Sequence, residues 1–247
     1  MRCLTLLSAA LLAACSPVAS DTAASAESGA SVNSSTPRAD ARHPIVVELY
    51  QSQGCSSCPP ANAALNDVAG KPGVLALSFA VTYWDQLGWK DRFARPIFTT
   101  RQWDYARAGR RERVFTPQII VNGGPMMVGG DRAHFDRLIR DSGPLANGPS
   151  IDVAGGRVTI GIGKTPAPAT VWLVRYDPRV RNVAIRAGEN GGKTLPHKNI
   201  VTDLTALGTW TGKAAQFTAA ASPDAALRSA VLVQRGTGGP LVAARIL

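Results

Sequence analysis

The sequence predicts an α/β fold in two parts, a segment at residues 44–146 in the order βαβαββα and a small β-sandwich-like domain at 150–247. Three observations carry this. Apolar runs of strand character alternate with helix-forming stretches through the first part. A Cys-X-X-Cys pair, Cys55 to Cys58, stands at the first strand-to-helix junction. Beyond Asn147-Gly148-Pro149 the pattern changes to short alternating strands punctuated by Gly, Pro and Asp.

At the N-terminus, Arg2 and the apolar stretch Leu4–Ala14 read as a signal peptide over residues 1–14, since the stretch is shorter than the roughly 20 residues a membrane-spanning helix needs. Leu12-Ala13-Ala14-Cys15 resembles the bacterial lipobox, which implies acylation of Cys15 and, with Ser16 next, an outer-membrane anchor facing the periplasm. Residues 15–43 are Ser/Ala/Thr-rich with few large apolar side chains. They cannot bury enough surface to offset their ordering entropy and read as a lipid-anchored disordered linker.

Ile45–Tyr50 is a β-branched apolar run ended by Gln51-Ser52-Gln53-Gly54, which predicts a buried strand entering a tight turn. The cysteines follow, and Pro59-Pro60 occupy the first turn of a helix that Gly70 and Pro72 stop. Val74–Tyr83 is a second strand. Thr99–Arg113 has the spacing of an amphipathic helix, and its basic run, Arg101 to Arg113, reads as a solvated face. Thr116-Pro117 precedes the strand Gln118–Val121, Asn122-Gly123-Gly124 turns into the strand Met126–Val128, and Arg132–Arg140 is a helix with Phe135, Leu138 and Ile139 on one face. The second part offers strands at Val158–Ile162, Trp172–Tyr176, Val183–Arg186, Gln216–Ala219, Ala230–Gln234 and Val242–Ile246.

The chain of 247 residues carries a net charge of +10 and a mean hydropathy near zero. A basic surface suits anionic headgroups or an acidic partner. No zinc-finger, RNP or KH pattern accompanies the charge, so nucleic acid is not an expected partner. Gly188–Thr194 lacks the first glycine of a phosphate loop, Ala187 standing there, and no helix follows. The segment reads as a turn whose Asn190, with His197 beyond it, contacts the first part.

The order βαβαββα with a Cys-X-X-Cys pair at its first βα junction resembles thioredoxin. The strings SQGCSSCPPA (Ser52–Ala61), YWDQLGWKDRFA (Tyr83–Ala94), TRQWDYA (Thr100–Ala106), TPQIIVNG (Thr116–Gly123) and GENGGKTLPHKNIV (Gly188–Val201) look more closely like a family of secreted, functionally uncharacterised thioredoxin-like proteins of Gram-negative bacteria. The likeness covers about residues 44 to 247 and implies a fold rather than a settled activity. It also implies a cis Pro117 lying against the cysteines, with Thr116 offering backbone hydrogen bonds to an extended substrate.

With Cys3 removed and Cys15 acylated, Cys55 and Cys58 are left only with each other, and an oxidising compartment favours a Cys55–Cys58 disulfide or cycling through one. A thiol at a helix N-terminus is stabilised as thiolate by the macrodipole. This makes Cys55 the expected nucleophile and Cys58 the resolver of a mixed disulfide. Gln53, Trp84, Asp85 and Trp89 are candidates for a substrate-facing wall, with Asp85 a candidate proton relay. The expected function is periplasmic thiol–disulfide exchange with envelope proteins or small thiols and a redox partner, with no cofactor and no metal. The alternatives are a non-catalytic envelope module with a structural disulfide, and copper or zinc handling through the two thiols.

Overall fold

A computed structural model describes residues 38–247. The expected signal peptide, the expected lipid site Cys15 and most of the expected linker lie outside the described residues. The linker's last residues are not a free tether: Ala41 accepts a backbone hydrogen bond from Ile246, and Asp40 Oδ1 accepts from the N–H groups of Arg42 and His43.

The first half follows the expected order: β1 (Ile45–Gln51), α1 (Pro59–Val68), β2 (Val74–Ala80), α2 (Pro96–Ala108), β3 (Gln118–Val121), β4 (Met126–Val128) and α3 (Arg132–Ser142). β1 runs parallel to β2 and antiparallel to β3. Asn122 and Gly123 both adopt positive φ in the β3–β4 turn, the conformation a tight hairpin requires and these residues tolerate. Helix α2 starts earlier and stops earlier than the sequence predicts. Pro96 pre-sets φ at its N-terminus, and Gly109 followed by the positive-φ Arg110 ends it, so Arg111 and Arg113 are not helical.

The second half adds β5 (Ile151–Ala154), β6 (Arg157–Ile160), β7 (Ala169–Asp177), β8 (Arg181–Ala184), β9 (Thr194–His197), β10 (Ile200–Trp210), β11 (Ala215–Thr218), β12 (Arg228–Arg235) and β13 (Leu241–Ile246). It does not form the separate sandwich domain expected from its turn spacing. β10 pairs with β2 through Ile200 and Ser78, which places both halves in one eight-stranded mixed sheet ordered β13-β12-β7-β10-β2-β1-β3-β4. Asn199, at positive φ just before β10, fixes the junction by donating its side-chain amide to the Ala76 carbonyl.

Side chains alternate across this sheet. One face carries Val46, Tyr50, Leu77 and Phe79 of the first half and Val174, Tyr176 and Leu232 of the second, under Phe98 and Tyr105 of α2. The opposite face packs Val47, Leu49 and Ile119 against Leu65 of α1 and Phe135 of α3. Further along that face, Val171, Leu173 and Val233, with Trp210 at the end of β10, meet the three-stranded sheet β11-β6-β5 through Val158 and Ile160 of β6. Among the described residues no helix is long and apolar enough to cross a membrane.

Glu48, inside the apolar run that defines β1, shares the α2 face. It is fully buried and accepts two hydrogen bonds from Arg101, at 2.9 Å each, and one each from Tyr50 and Tyr105. Arg101 is therefore not part of a solvated basic face. Its Nη1 donates to Gln234 of β12 at 2.7 Å, so one guanidinium ties β1, α2 and the second half together. Burial works to raise the Glu48 pKa, but the Arg101 charge and these hydrogen bonds hold it below the ordinary carboxylate value.

Candidate functional site

The site grows from the end of β1. Ser52 and Cys55 close successive turns, the Cys55 N–H donating to the Ser52 carbonyl and the Cys58 N–H to the Cys55 carbonyl, and the chain then enters α1. Cys55 and Cys58 are joined by a disulfide with Cα atoms 5.4 Å apart. Cys58 is the N-cap of α1, and Pro59 and Pro60 are its first two residues. Cys55 thus lies in the preceding turn rather than on the helix. The two prolines remove two of the free N–H groups that would face a thiolate there, leaving chiefly the macrodipole to favour it.

Residues flanking the pair are held from several elements. Trp84 lies against Gly54, where an added Cβ would sit 3.6 Å from the Trp84 Cβ, and its indole N–H donates to Thr116 Oγ1 at 2.8 Å. Trp89 donates to Gln53 Oε1 at 2.9 Å. Gln53, expected to face substrate, is fully buried and serves as a support for the turn. The Thr116–Pro117 bond is cis, and Gly129 lies between Pro117 and Ala61 of α1, leaving no room for a side chain. Among the described residues no hydrogen bond uses the backbone N–H or carbonyl of half-buried Thr116. The structure thus brings Trp84 and Trp89 to the cysteine turn at Gly54 and Gln53, with Thr116 bonded to Trp84 and Pro117 facing Ala61 of α1 across Gly129.

The buried acid of the site is Asp91 rather than Asp85. Asp91 Oδ2 accepts from the Gln53 N–H and Oδ1 from the Phe93 N–H, while Asp85 Oδ1 accepts from the Asp91 N–H. Burial, with the Asp85 charge adding to it, lifts the Asp91 pKa to about 6 against the pull of the two hydrogen bonds. Sequence reasoning placed the acid at the end of the second strand. β2 stops at Ala80 instead, and turns carry the chain on to Asp91.

The turn expected to touch the first part through Asn190 does so at the cysteines. In the loop joining β8 to β9, Asn190 is fully buried and its side-chain amide donates to the carbonyls of both Gln53, at 2.9 Å, and Cys55, at 2.8 Å. Exposed Glu189 accepts from the Ser56 N–H at 3.1 Å, and hydrogen bonding to Ser56 holds its carboxyl below the usual range. His197, on β9, is 1% exposed, packs edge-on to Phe93, and has no hydrogen-bond partner on either ring nitrogen. Burial, with the Arg92 charge, lowers its pKa to about 4. Among the described residues no group of three or more His, Cys, Asp or Glu side chains is placed to hold a metal ion.

An X-ray structure of a protein from Agrobacterium tumefaciens is similar at 34% identity and a TM-score of 0.66, over 82% of this chain and 93% of that one. HBP35 of Porphyromonas gingivalis shares 11% identity at a TM-score of 0.57, over 85% of this chain and 76% of that one, a likeness of fold alone. No curated protein matches the chain. A family described as proteins of unknown function, DUF1223, matches residues 46–234. That match spans most of the chain, and with it the chain belongs to the DUF1223 family.

Proposed function

We propose that the chain is a thiol–disulfide oxidoreductase of thioredoxin-like type, held in the bacterial envelope by a lipid on Cys15 and exchanging disulfides with protein or small-molecule thiols. The observation that carries this reading is the placement of the Cys55–Cys58 disulfide between the end of β1 and the N-cap of α1, in a segment ordered βαβαββα with Thr116-Pro117 just ahead of β3. The backbone of Thr116, unpaired among the described residues, is suited to dock an extended substrate beside Trp84.

The chemistry is reversible. A substrate thiolate attacks Cys55 Sγ, forming a mixed disulfide while the Cys55–Cys58 bond breaks and its electron pair leaves on Cys58. A second substrate thiolate then attacks the substrate sulfur of that mixed disulfide and releases Cys55 as thiolate. The substrate dithiol loses two electrons and two protons, and the cysteine pair gains them. In the opposite direction the Cys55 thiolate attacks a substrate disulfide and Cys58 resolves the product.

A second reading, a disulfide that only braces the fold, is favoured by the full burial of both cysteines. Equilibration of the purified protein with glutathione separates the two. The oxidoreductase reading expects a reduction potential above about −300 mV, and a reduced Cys55 that alkylates at mildly acidic pH. A pair that stays oxidised throughout the glutathione range, or a Cys55 inert to alkylation once reduced, argues for the structural reading.

A further inference from the structure

Cys55 and Cys58 are 0% exposed although Ser56 and Ser57 between them face solvent, so a thiol arriving from solution meets a closed site. Among the described residues, the hydrogen bonds that reach the turn Gln53–Cys58 from the second half all come from two neighbours in the β8–β9 loop, Glu189 and Asn190. The loop is built as a small separate hairpin. Its base is closed by the Gly192 N–H donating to the Ile185 carbonyl and the Ile185 N–H to the Lys193 carbonyl, and Gly188 and Gly192 take positive φ. Arg186–Glu189 and Gly191–Lys193 are exposed, and Asn190 alone is buried, braced by Lys193 Nζ on its Oδ1 at 2.9 Å. Gly188 rests against Trp89, itself bonded to Gln53.

An exposed, glycine-hinged loop held by one buried amide and one surface carboxylate belongs to the part of a structure that opens at low cost. The groups it occupies belong to the cysteine turn itself: the carbonyls of Gln53 and Cys55 and the N–H of Ser56. We propose that the loop Ala187–Lys193 is a lid over the Cys55–Cys58 pair, latched by Asn190, and that its opening limits how fast a thiol reaches Cys55. The proposal rests on the reading of this pair as an exchanging one. It assigns Asn190 the role of a positioning residue, acting through the cysteine turn rather than on substrate.

The test is the rate at which the oxidised full-length mature protein is reduced by dithiothreitol and by a water-soluble phosphine. Wild type is expected to level off as reductant rises, because opening becomes limiting. Loss of the two Asn190 hydrogen bonds in Asn190→Ala is expected to raise that plateau on the order of 10-fold, and Glu189→Gln, on the surface and outside the core, about 2-fold to 3-fold. Amide exchange at Ser56 should rise in the same variants while the melting temperature of Glu189→Gln stays unchanged. A wild-type rate that remains linear in reductant, or plateaus unchanged in both variants, overturns the lid. Phosphine reduction needs no protein partner. Faster reduction of Asn190→Ala without any exchange with thiol substrates therefore keeps the lid and defeats the oxidoreductase reading, while exchange at unaltered rates does the reverse.

Discussion

Asp91 accepts hydrogen bonds from the backbone of Gln53 and Phe93 at 2% exposure, and burial lifts its pKa to about 6. An acid whose folded pKa is raised binds its proton more tightly in the native state, so its contribution is present below the unfolded value near 4 and is lost as pH rises through 6. His197 is opposite in sign: burial takes its folded pKa to about 4, so the native state resists protonation and loses stability as pH falls below the unfolded value near 6.5. Each shift corresponds to about 3 kcal/mol, and across pH 4 to 6.5 the two largely offset each other. Asp91→Asn should therefore expose the histidine slope, with a melting temperature that drops on acidification from pH 7 to 4.5 more than in wild type. His197→Leu should expose the aspartate slope and gain relative stability at pH 4.5. Thermal melts of the three proteins at both pH values check this, and parallel shifts in all three would contradict it. His197 is legible in the sequence as a contact with the first part but not as a buried titrating group, and Asp91 is not legible at all, because its burial depends on β2 ending at Ala80 and on the turns that follow.

At the scale of elements, β1 and α2 are joined by the Glu48–Arg101 pair, which is 0% and 3% exposed at its two side chains. Removing one partner strands a charge in the core, so Arg101→Met is expected to cost about 3–5 kcal/mol in urea unfolding, and the double change Glu48→Gln with Arg101→Met to recover most of it. A double variant as unstable as the single one would contradict the pairing. β1, α1, β2, β3, β4 and α3 are legible from sequence, the strands as short runs rich in apolar residues, α1 by its Pro start and Gly-Pro stop and α3 by its apolar face. β10 was not legible. Its pairing with β7 shifts register between Val201 and Asp203 and again between Ala206 and Gly208, and each bulge moves the apolar residues to the other phase, so Ile200–Trp210 shows no steady alternation. That strand is the one linking the two halves. Without a legible β10 the second half reads as a domain of its own where there is a shared sheet, and the loop ahead of it reads as a turn touching the first part but not as a cover on the cysteines.

For the whole molecule, the described residues, 38–247, belong to one unit, and the face beneath α2 is completed by Val174, Tyr176 and Leu232 from the second half. A fragment of residues 44–146 would expose that face and the free edge of β2, so it is expected to be aggregation-prone or unfolded by circular dichroism. A soluble, cooperatively melting fragment would contradict the shared core. The order βαβαββα and the cysteine pair were readable because both are local in sequence. The cover that Glu189 and Asn190 place over the pair comes from more than 130 positions away, as the separations of 133 for Ser56–Glu189 and 135 for Cys55–Asn190 show. Thiol–disulfide exchange of the kind proposed gives these two sulfurs unequal roles. It is tested most directly by expressing Cys58→Ser and Cys55→Ser in a Gram-negative host and purifying each under conditions that preserve disulfides. Cys58→Ser is predicted to carry mixed disulfides with envelope proteins, since the attacking sulfur survives without its resolver, and Cys55→Ser to carry none. The same adducts on both variants, or none on either, would contradict the account.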